Sequence, residues 1–221
     1  MKGNSKLYFN YGAMGSAKTV QAVVEDFNYK EHDFKTLLLK SSIDDRWGKT
    51  KEIASRTGLS APCISVGESD SILSIFAADP TDVVIVDEAQ FLTPTQVEEL
   101  RYIVDNYSIP VVCYGLRTDF RGRLFSGAQR LFELADTFNE IKSLCSCGKK
   151  ATMNARFKDG KIVTAGPVIS IGDNSSYKAM CHKCYAAEIA KAVVSDGAVY
   201  PAEKEVDKRW NALLKELDCL V

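Results

Sequence analysis

Short apolar runs separated by polar, helix-periodic stretches set the rhythm of this chain of 221 residues. The first run, Leu7, Phe9 and Tyr11, reads as a strand that turns sharply at Gly12 and ends in Lys18-Thr19, where a helical pattern takes over. That helix carries Val20, Val23, Val24 and Phe27 and closes over Asp26 to Asp33. Thr36 to Lys40, Pro62 to Val66, Asp82 to Asp87 and Pro110 to Gly115 are further short runs of the kind that form buried parallel strands. Between them, Ser69 to Ala78 predicts a helix with Ile72, Leu73 and Phe76 inward. Thr93-Pro94-Thr95-Gln96 is a helix start with a capping threonine, running to about Asn106. A helix to about Leu134 and a strand to Ile141 follow. Residues 41–60 read as a polar loop with a weak helix inside it. The alternation argues for an α/β fold, a parallel sheet with helices on both faces, with ligands beyond the carboxyl ends of the strands.

Near Ser143 the pattern changes to a compact, loop-rich unit. Two short β-like stretches, Thr152 to Phe157 and Lys161 to Val163, and a loop-like segment from Gly166 to Tyr177 lie between two cysteine pairs. A helix is expected from Tyr185 to about Ser195. Val206, Trp210, Leu213, Leu214 and Leu217 then recur at helical spacing, as in an amphipathic tail helix. The expected organisation is therefore residues 1–142 as a nucleotide-binding α/β domain, 143–194 as a small lobe and 195–221 as a tail helix.

Composition narrows the function classes. With 46% hydrophobic and 26% charged residues and a net charge of −1, the chain lacks a broad electrostatic footprint for nucleic acid or anionic membrane. No apolar stretch is long enough to span a bilayer and no signal-like segment opens the chain, so the expected location is the cytosol. There, seven cysteines are thiols or metal ligands rather than disulfides.

Three groups of residues point to chemistry. Strand, glycine-bearing loop, Lys18-Thr19 and helix form the arrangement that holds a nucleotide's phosphates, with Lys18 reaching the outer phosphates and the Thr19 hydroxyl on Mg²⁺. The motif normally has glycine where this chain has Ala17, and the plain alternative is a strand-to-helix turn that happens to end in Lys-Thr. Asp87 and Glu88 end a buried strand. There Asp87 is placed to hold Mg²⁺ and Glu88 to take a proton from an attacking hydroxyl, the alternative being two acids that cap a strand in solvent. Asp44-Asp45-Arg46, after the second strand, fits either assistance at the phosphates or a solvated charged loop. Cys145/Cys147 and Cys181/Cys184 offer four soft ligands to a closed, structural Zn²⁺ site, against the alternative of four buried thiols. His182 is an alternative ligand expected to be exposed, His32 a helix-end residue, and Cys63 and Cys113 packing residues.

Together these features resemble the type II thymidine kinases shared by bacteria, large viruses and the animal cytosol, from Leu7 to about Ala186. The phosphate loop YGAMGSAKT, the run Asp87-Glu88-Ala89-Gln90-Phe91, the stretch CYGLRTDFRG from Cys113 to Gly122, and the cysteine pairs carry the likeness. The loop before Tyr177 is similar to the family's lasso, which closes over the nucleoside. The resemblance implies a P-loop (RecA-like) parallel sheet with a zinc-binding lobe carrying that lasso. It implies Glu88 as the base that deprotonates the nucleoside 5′-hydroxyl. Gly12, Ala13, Met14, Gly15, Ser16, Ala17, Lys18 and Thr19 would line the ATP site with Asp87, Glu88, Ala89 and Gln90, and Asp44, Asp45 and Arg46 would also lie at the phosphates. Met14, Phe91, Leu116, Phe120 and Phe125 would surround the thymine ring. Val168, Ile169, Ser170, Ile171, Gly172 and Tyr177 would hold the base, largely by backbone contacts. Thymidine and ATP as substrates, deoxyuridine by extension, structural Zn²⁺, Mg²⁺ with ATP, and a homotetramer complete the expectation, with no nucleic-acid or membrane partner.

Two positions depart from the family: Ala17, and Gly172-Asp173-Asn174-Ser175-Ser176 where a Gly-Gly and an acid usually precede the tyrosine. The alternative from another class is therefore a degenerate phosphate-loop protein that binds nucleotide without turnover. A nucleic-acid motor fragment, suggested by Asp-Glu-Ala-Gln and the cysteine pairs, conflicts with the chain's length and its lack of a basic stripe.

Overall fold

The computed structural model describes residues 5–41, 52–168 and 177–195, without the side chains of 193–195. Six parallel strands form the main sheet in the order β5-β2-β6-β7-β1-β8. These are β1 (Leu7–Gly12), β2 (Thr36–Ser41), β5 (Ile64–Val66), β6 (Val83–Asp87), β7 (Val111–Gly115) and β8 (Thr137–Ile141). Every residue of β6 and β7 is buried, as expected of central parallel strands covered on both faces.

Each face has its own core. On one side Phe9, Leu39, Val86 and Cys113 pack against α2 (Ile72–Ala78), α3 (Pro94–Tyr107) and α4 (Ser126–Leu134) through Phe76, Leu100 and Leu131. On the other, Leu38, Ile85 and Val112 meet Ala22 and Val23 of α1 (Lys18–Glu31), with Ile53 and Ala61 alongside. The capping box at α3 is formed: Gln96 N donates to Thr93 Oγ1 at 3.2 Å and Thr93 N to Gln96 Oε1 at 3.0 Å. Gln96 Nε2 also donates to the carbonyls of Gly67 and Asp70, and Glu99 accepts from the N–H groups of Ile72 and Leu73, so α3 fixes the start of α2.

The lobe is a three-stranded antiparallel sheet, β10-β9-β11, of β9 (Met153–Lys158), β10 (Lys161–Ile162) and β11 (Tyr177–Met180), followed by α5 (His182–Ser195). Its apolar cluster joins Cys145, Ala151, Ala155, Ile162, Met180 and Cys181, and it takes in Ala13 from the main domain. Among the described residues no helix is long and apolar enough to cross a membrane.

The structure corrects several expectations. The segment read as a loop with a weak helix holds instead an antiparallel hairpin, β3 (Glu52–Ala54) with β4 (Ser60–Pro62), turned at Gly58, whose φ is +86°. Ile53 and Ala61 supply its packing. The run Pro62 to Val66 is split, its first residue ending the hairpin and its last three joining the main sheet. On α1, Val24 and Phe27 are exposed, Phe27 by 58%, because Ala22 and Val23 turn toward the sheet. The loop-like segment ends in a true strand, β11, and α5 starts at His182 rather than Tyr185. Ile169, Ser170, Ile171, Gly172, Asp44, Asp45, Arg46 and the tail helix lie outside the described residues.

Candidate active site

The carboxyl ends of β1, β6 and β7 bring the sequence candidates to one edge of the sheet. β1 delivers the chain into the turn at Gly12, where a Cβ would lie 2.5 Å from both the Ile141 carbonyl oxygen and Ser16 Oγ, so the turn closes only on a bare backbone. The Lys18 ammonium crosses back over the loop and donates to the carbonyls of Gly12 and Ala13 at 3.3 and 2.9 Å and to Ser16 Oγ at 3.1 Å. Ala17 has φ +62° and ψ 27°, the left-handed conformation that glycine adopts without strain, and offers no side-chain cap to α1. A helix start without a side-chain cap is of the kind that receives an anion.

Asp87 ends β6 at 2% exposure. Burial first, then the neighbouring negative charge of Glu88, holds its carboxyl above the usual carboxylate range, while a hydrogen bond from the Thr19 side chain and the charge of Lys18 act the other way. One of its oxygens, Oδ1, is buried with no hydrogen-bond partner. A buried, orphaned carboxylate oxygen beside a threonine hydroxyl is a donor pair that fits a hard divalent cation.

Glu88 turns the chain into a 3-10 turn, Ala89–Phe91, with φ +52°. Its carboxylate accepts from Gln90 Nε2 at 2.6 Å, and Gln90 Oε1 accepts from Leu116 N at 2.8 Å. The Gln90 amide, itself buried, thus spans from the acid to the loop after β7 and holds both. Two glycines let this turn seat. A Cβ on Gly115 would meet Gln90 Oε1 at 2.8 Å, and one on Gly127 of α4 would meet the carbonyls of Leu92, Ala89 and Gln90 at 2.5, 2.8 and 2.9 Å.

Of the aromatic candidates, Phe91 and Phe125 meet edge to face at 5.4 Å and are half-buried. Phe120 is buried, with the Arg156 guanidinium 4.3 Å above its ring and its carbonyl accepting from the Tyr185 hydroxyl at 2.7 Å. Arg156 also donates to the Pro167 carbonyl at 2.8 Å and pairs in register with Tyr177, so Phe120, Pro167 and Tyr177 are tied through one arginine. Met14 and Leu116 are half-buried at the same edge.

Asn154 was not among the sequence candidates. It stands in β9, buried, and its amide links the phosphate loop to the loop after β7: Met14 N donates to Oδ1 at 2.8 Å and Nδ2 donates to the Thr118 carbonyl at 2.9 Å. Its only signal in the sequence is a single amide between apolar neighbours, Met153 and Ala155.

The sulfur atoms of Cys145, Cys147, Cys181 and Cys184 lie within 4.8 Å of one another, Cys147 and Cys181 at 3.6 Å. A tetrahedral Zn²⁺ with four Zn–S bonds requires about 3.8 Å between sulfurs, so the four cysteines fit that ion. Backbone N–H groups of Cys147 and Cys181 lower the Cys145 thiol and that of Cys184 lowers the Cys181 thiol, while the neighbouring cysteine sulfurs raise the Cys184 thiol. His182 is exposed and no member of the cluster. Cys63 and Cys113 are buried elsewhere, where burial pushes the Cys63 thiol up to about 11 and raises that of Cys113 too, in keeping with packing roles.

Comparison with known proteins gives a consistent result. The family described as thymidine kinase matches residues 5–185. A thymidine kinase of Shewanella oneidensis is 42% identical over 184 residues, 81% of this chain and 95% of that protein. One of Novosphingobium aromaticivorans is 44% identical over 184 residues, with the same shares, and one of Rhodopirellula baltica 42% over 182 residues, 80% of this chain and 86% of that protein. Among solved structures, a DNA replication initiation factor aligns with 64% of this chain and 41% of its own at 13% identity and a TM-score of 0.36, too slight a likeness to bear on fold.

Proposed function

Since the chain belongs to the thymidine kinase family, and is a phosphotransferase with an alcohol acceptor, we propose that it moves the γ-phosphoryl group of ATP to the 5′-hydroxyl of thymidine, and of deoxyuridine, giving the nucleoside monophosphate. The observation that supports this reading is the Glu88 carboxylate, held by the Gln90 amide and close enough to act on Asp87, whose carboxyl the Thr19 hydroxyl and the Lys18 charge also reach.

In this mechanism Gly12 to Thr19 cradle the phosphates, with Asp87 to Gln90 completing the ATP site. Lys18 exchanges its loop carbonyls for phosphate oxygens and offsets their charge. Thr19 and Asp87 would hold Mg²⁺, which when bound neutralises charge on the phosphates. Glu88 accepts the 5′-hydroxyl proton as the oxygen attacks. In this reading Met14, Phe91, Leu116, Phe120 and Phe125 wall the thymine, Val168 to Gly172 and Tyr177 would hold the base, and Asp44 to Arg46 would act at the phosphates. Cys145, Cys147, Cys181 and Cys184 hold a structural Zn²⁺. A cytoplasmic homotetramer, as the resemblance implies, is part of the same proposal.

ADP release measured with and without thymidine tests the reading. Release that depends on thymidine is expected, and nucleotide binding without it would instead support the non-catalytic alternative. Ala17 bears on the choice. Its left-handed backbone keeps the path a glycine would take, at a strain of about 1–2 kcal/mol for an L residue. Ala17→Gly is therefore expected to raise Tm by about 2–4 °C, the shift that roughly 1 kcal/mol makes in a chain of this size, and to lower KM for ATP with kcat little changed. Thermal melts and initial rates check both.

A further inference from the structure

We infer that Asn154 is a positioning residue that makes the zinc-binding lobe part of the ATP site, by fixing the phosphate loop through the Met14 N–H. The inference rests on the kinase reading above and adds to it a residue and a direction of control.

Asn154 is 3% exposed in the middle of β9, opposite Ala179 of β11. Nothing in the lobe's own fold calls for an amide there, since its neighbours Met153 and Ala155 are buried apolar residues. Both ends of the amide are spent outside the lobe, on Met14 N and the Thr118 carbonyl. The two bonds have opposite polarity: the oxygen must face the N–H and the nitrogen the carbonyl, so one orientation of one side-chain type satisfies both. Truncating it would leave a half-buried backbone N–H and a buried carbonyl without this partner, and the buried carbonyl carries the larger cost.

The tie is local to the phosphate loop. Met14 sits between Ala13, which packs into the lobe's apolar cluster beside Cys145 and Cys181, and the turn that Lys18 closes. Two successive loop residues are thus held by the lobe, one by apolar contact and one by hydrogen bond. The Thr118 end reaches the loop that carries Leu116 and Phe120, so the same amide sets the distance between the nucleotide cradle and the nucleoside wall. An Arg117 bond to the Thr152 carbonyl at 3.3 Å runs beside it. With the amide in place, the loop is held before ATP arrives. Without it, ATP binding must also order the loop, which weakens affinity.

Asn154→Leu, which keeps the branching at Cγ and removes both hydrogen bonds, tests this in the zinc-loaded full chain. The expected result is an ATP Kd by calorimetry and a KM for ATP each raised about tenfold, with a smaller rise of about threefold in KM for thymidine, through Met14 and the Thr118 loop, and zinc content unchanged. Asn154→Asp keeps the acceptor for the Met14 N–H but sets a carboxylate oxygen against the Thr118 carbonyl, and is expected to recover only part of the ATP affinity. Should the leucine variant not fold, Asn154→Ser, too short to span both partners, carries the same expectation. An unchanged ATP Kd in the folded variant overturns the inference, as does an equal rise in both KM values, which a general loosening would cause. Wild-type protein that binds ATP but never releases ADP on thymidine would defeat the kinase reading, while the calorimetric comparison still decides the role of Asn154.

Discussion

Replacing Glu88 with glutamine is expected to lower kcat by about 10²–10⁴-fold, the range that one positioned general base supplies. The substitution keeps size, and an amide oxygen can still accept from Gln90 Nε2, so the turn at φ +52° and its ties to Leu116 should persist. What is lost is the capacity to take a proton. KM for ATP and the ATP Kd should stay within about threefold, because the phosphate loop is held by Gly12, Lys18 and Asn154 and not by this side chain. Phosphate transfer from labelled ATP to a panel of nucleosides, run beside wild type, reads both quantities. A variant with full turnover would show that another group accepts the proton, and the role given to Glu88 would fall.

Removal of zinc is the second large effect. Chelation at neutral pH is expected to raise KM for thymidine by about 10–100-fold, the range seen when support around a metal-built site is lost, while the main sheet stays folded. The reason lies in how little else holds the lobe together: two- to six-residue strands and a small apolar cluster into which Cys145 and Cys181 themselves are packed. The six-stranded sheet has two larger cores of its own. Far-ultraviolet circular dichroism should therefore change little, whereas hydrogen exchange should speed first in β9 and β11. Metal analysis of gently purified protein should find one zinc per chain; finding none would end the idea, as would full activity after the metal is stripped.

Much of this was legible because burial leaves a strong mark. β2, β6 and β7 are covered on both faces, so Leu37 to Leu39, Val83 to Val86 and Val111 to Tyr114 read as unbroken apolar runs. Thr93 and Gln96 fulfil a local rule that needs no tertiary partner. The four cysteines carry their chemistry in residue type and spacing. The hairpin β3-β4 left no such mark, since its three-residue strands bury only Ile53 and Ala61 and leave the other residues at least partly exposed. β11 is a strand because β9 offers it an edge, which four residues cannot announce. Helical periodicity located α1 but not its inward arc, hence the exposed Val24 and Phe27. Asn154 and the bridging role of Gln90 are properties of three-dimensional neighbours 26 to 140 residues apart in the chain, and no local pattern encodes them.

The contact between α4 and the turn after Glu88 sets a limit of another kind. At Gly127 the helix backbone rests almost directly on three carbonyl oxygens, so the helix acts as a spacer of fixed thickness behind the proton acceptor. A single methyl group there would act as a shim, lifting the whole assembly away from the nucleotide without altering any group that touches a substrate. Sequence drift at a position remote from the chemistry is thereby confined to the smallest residue, and the reach of the carboxylate is governed by an atom that is missing.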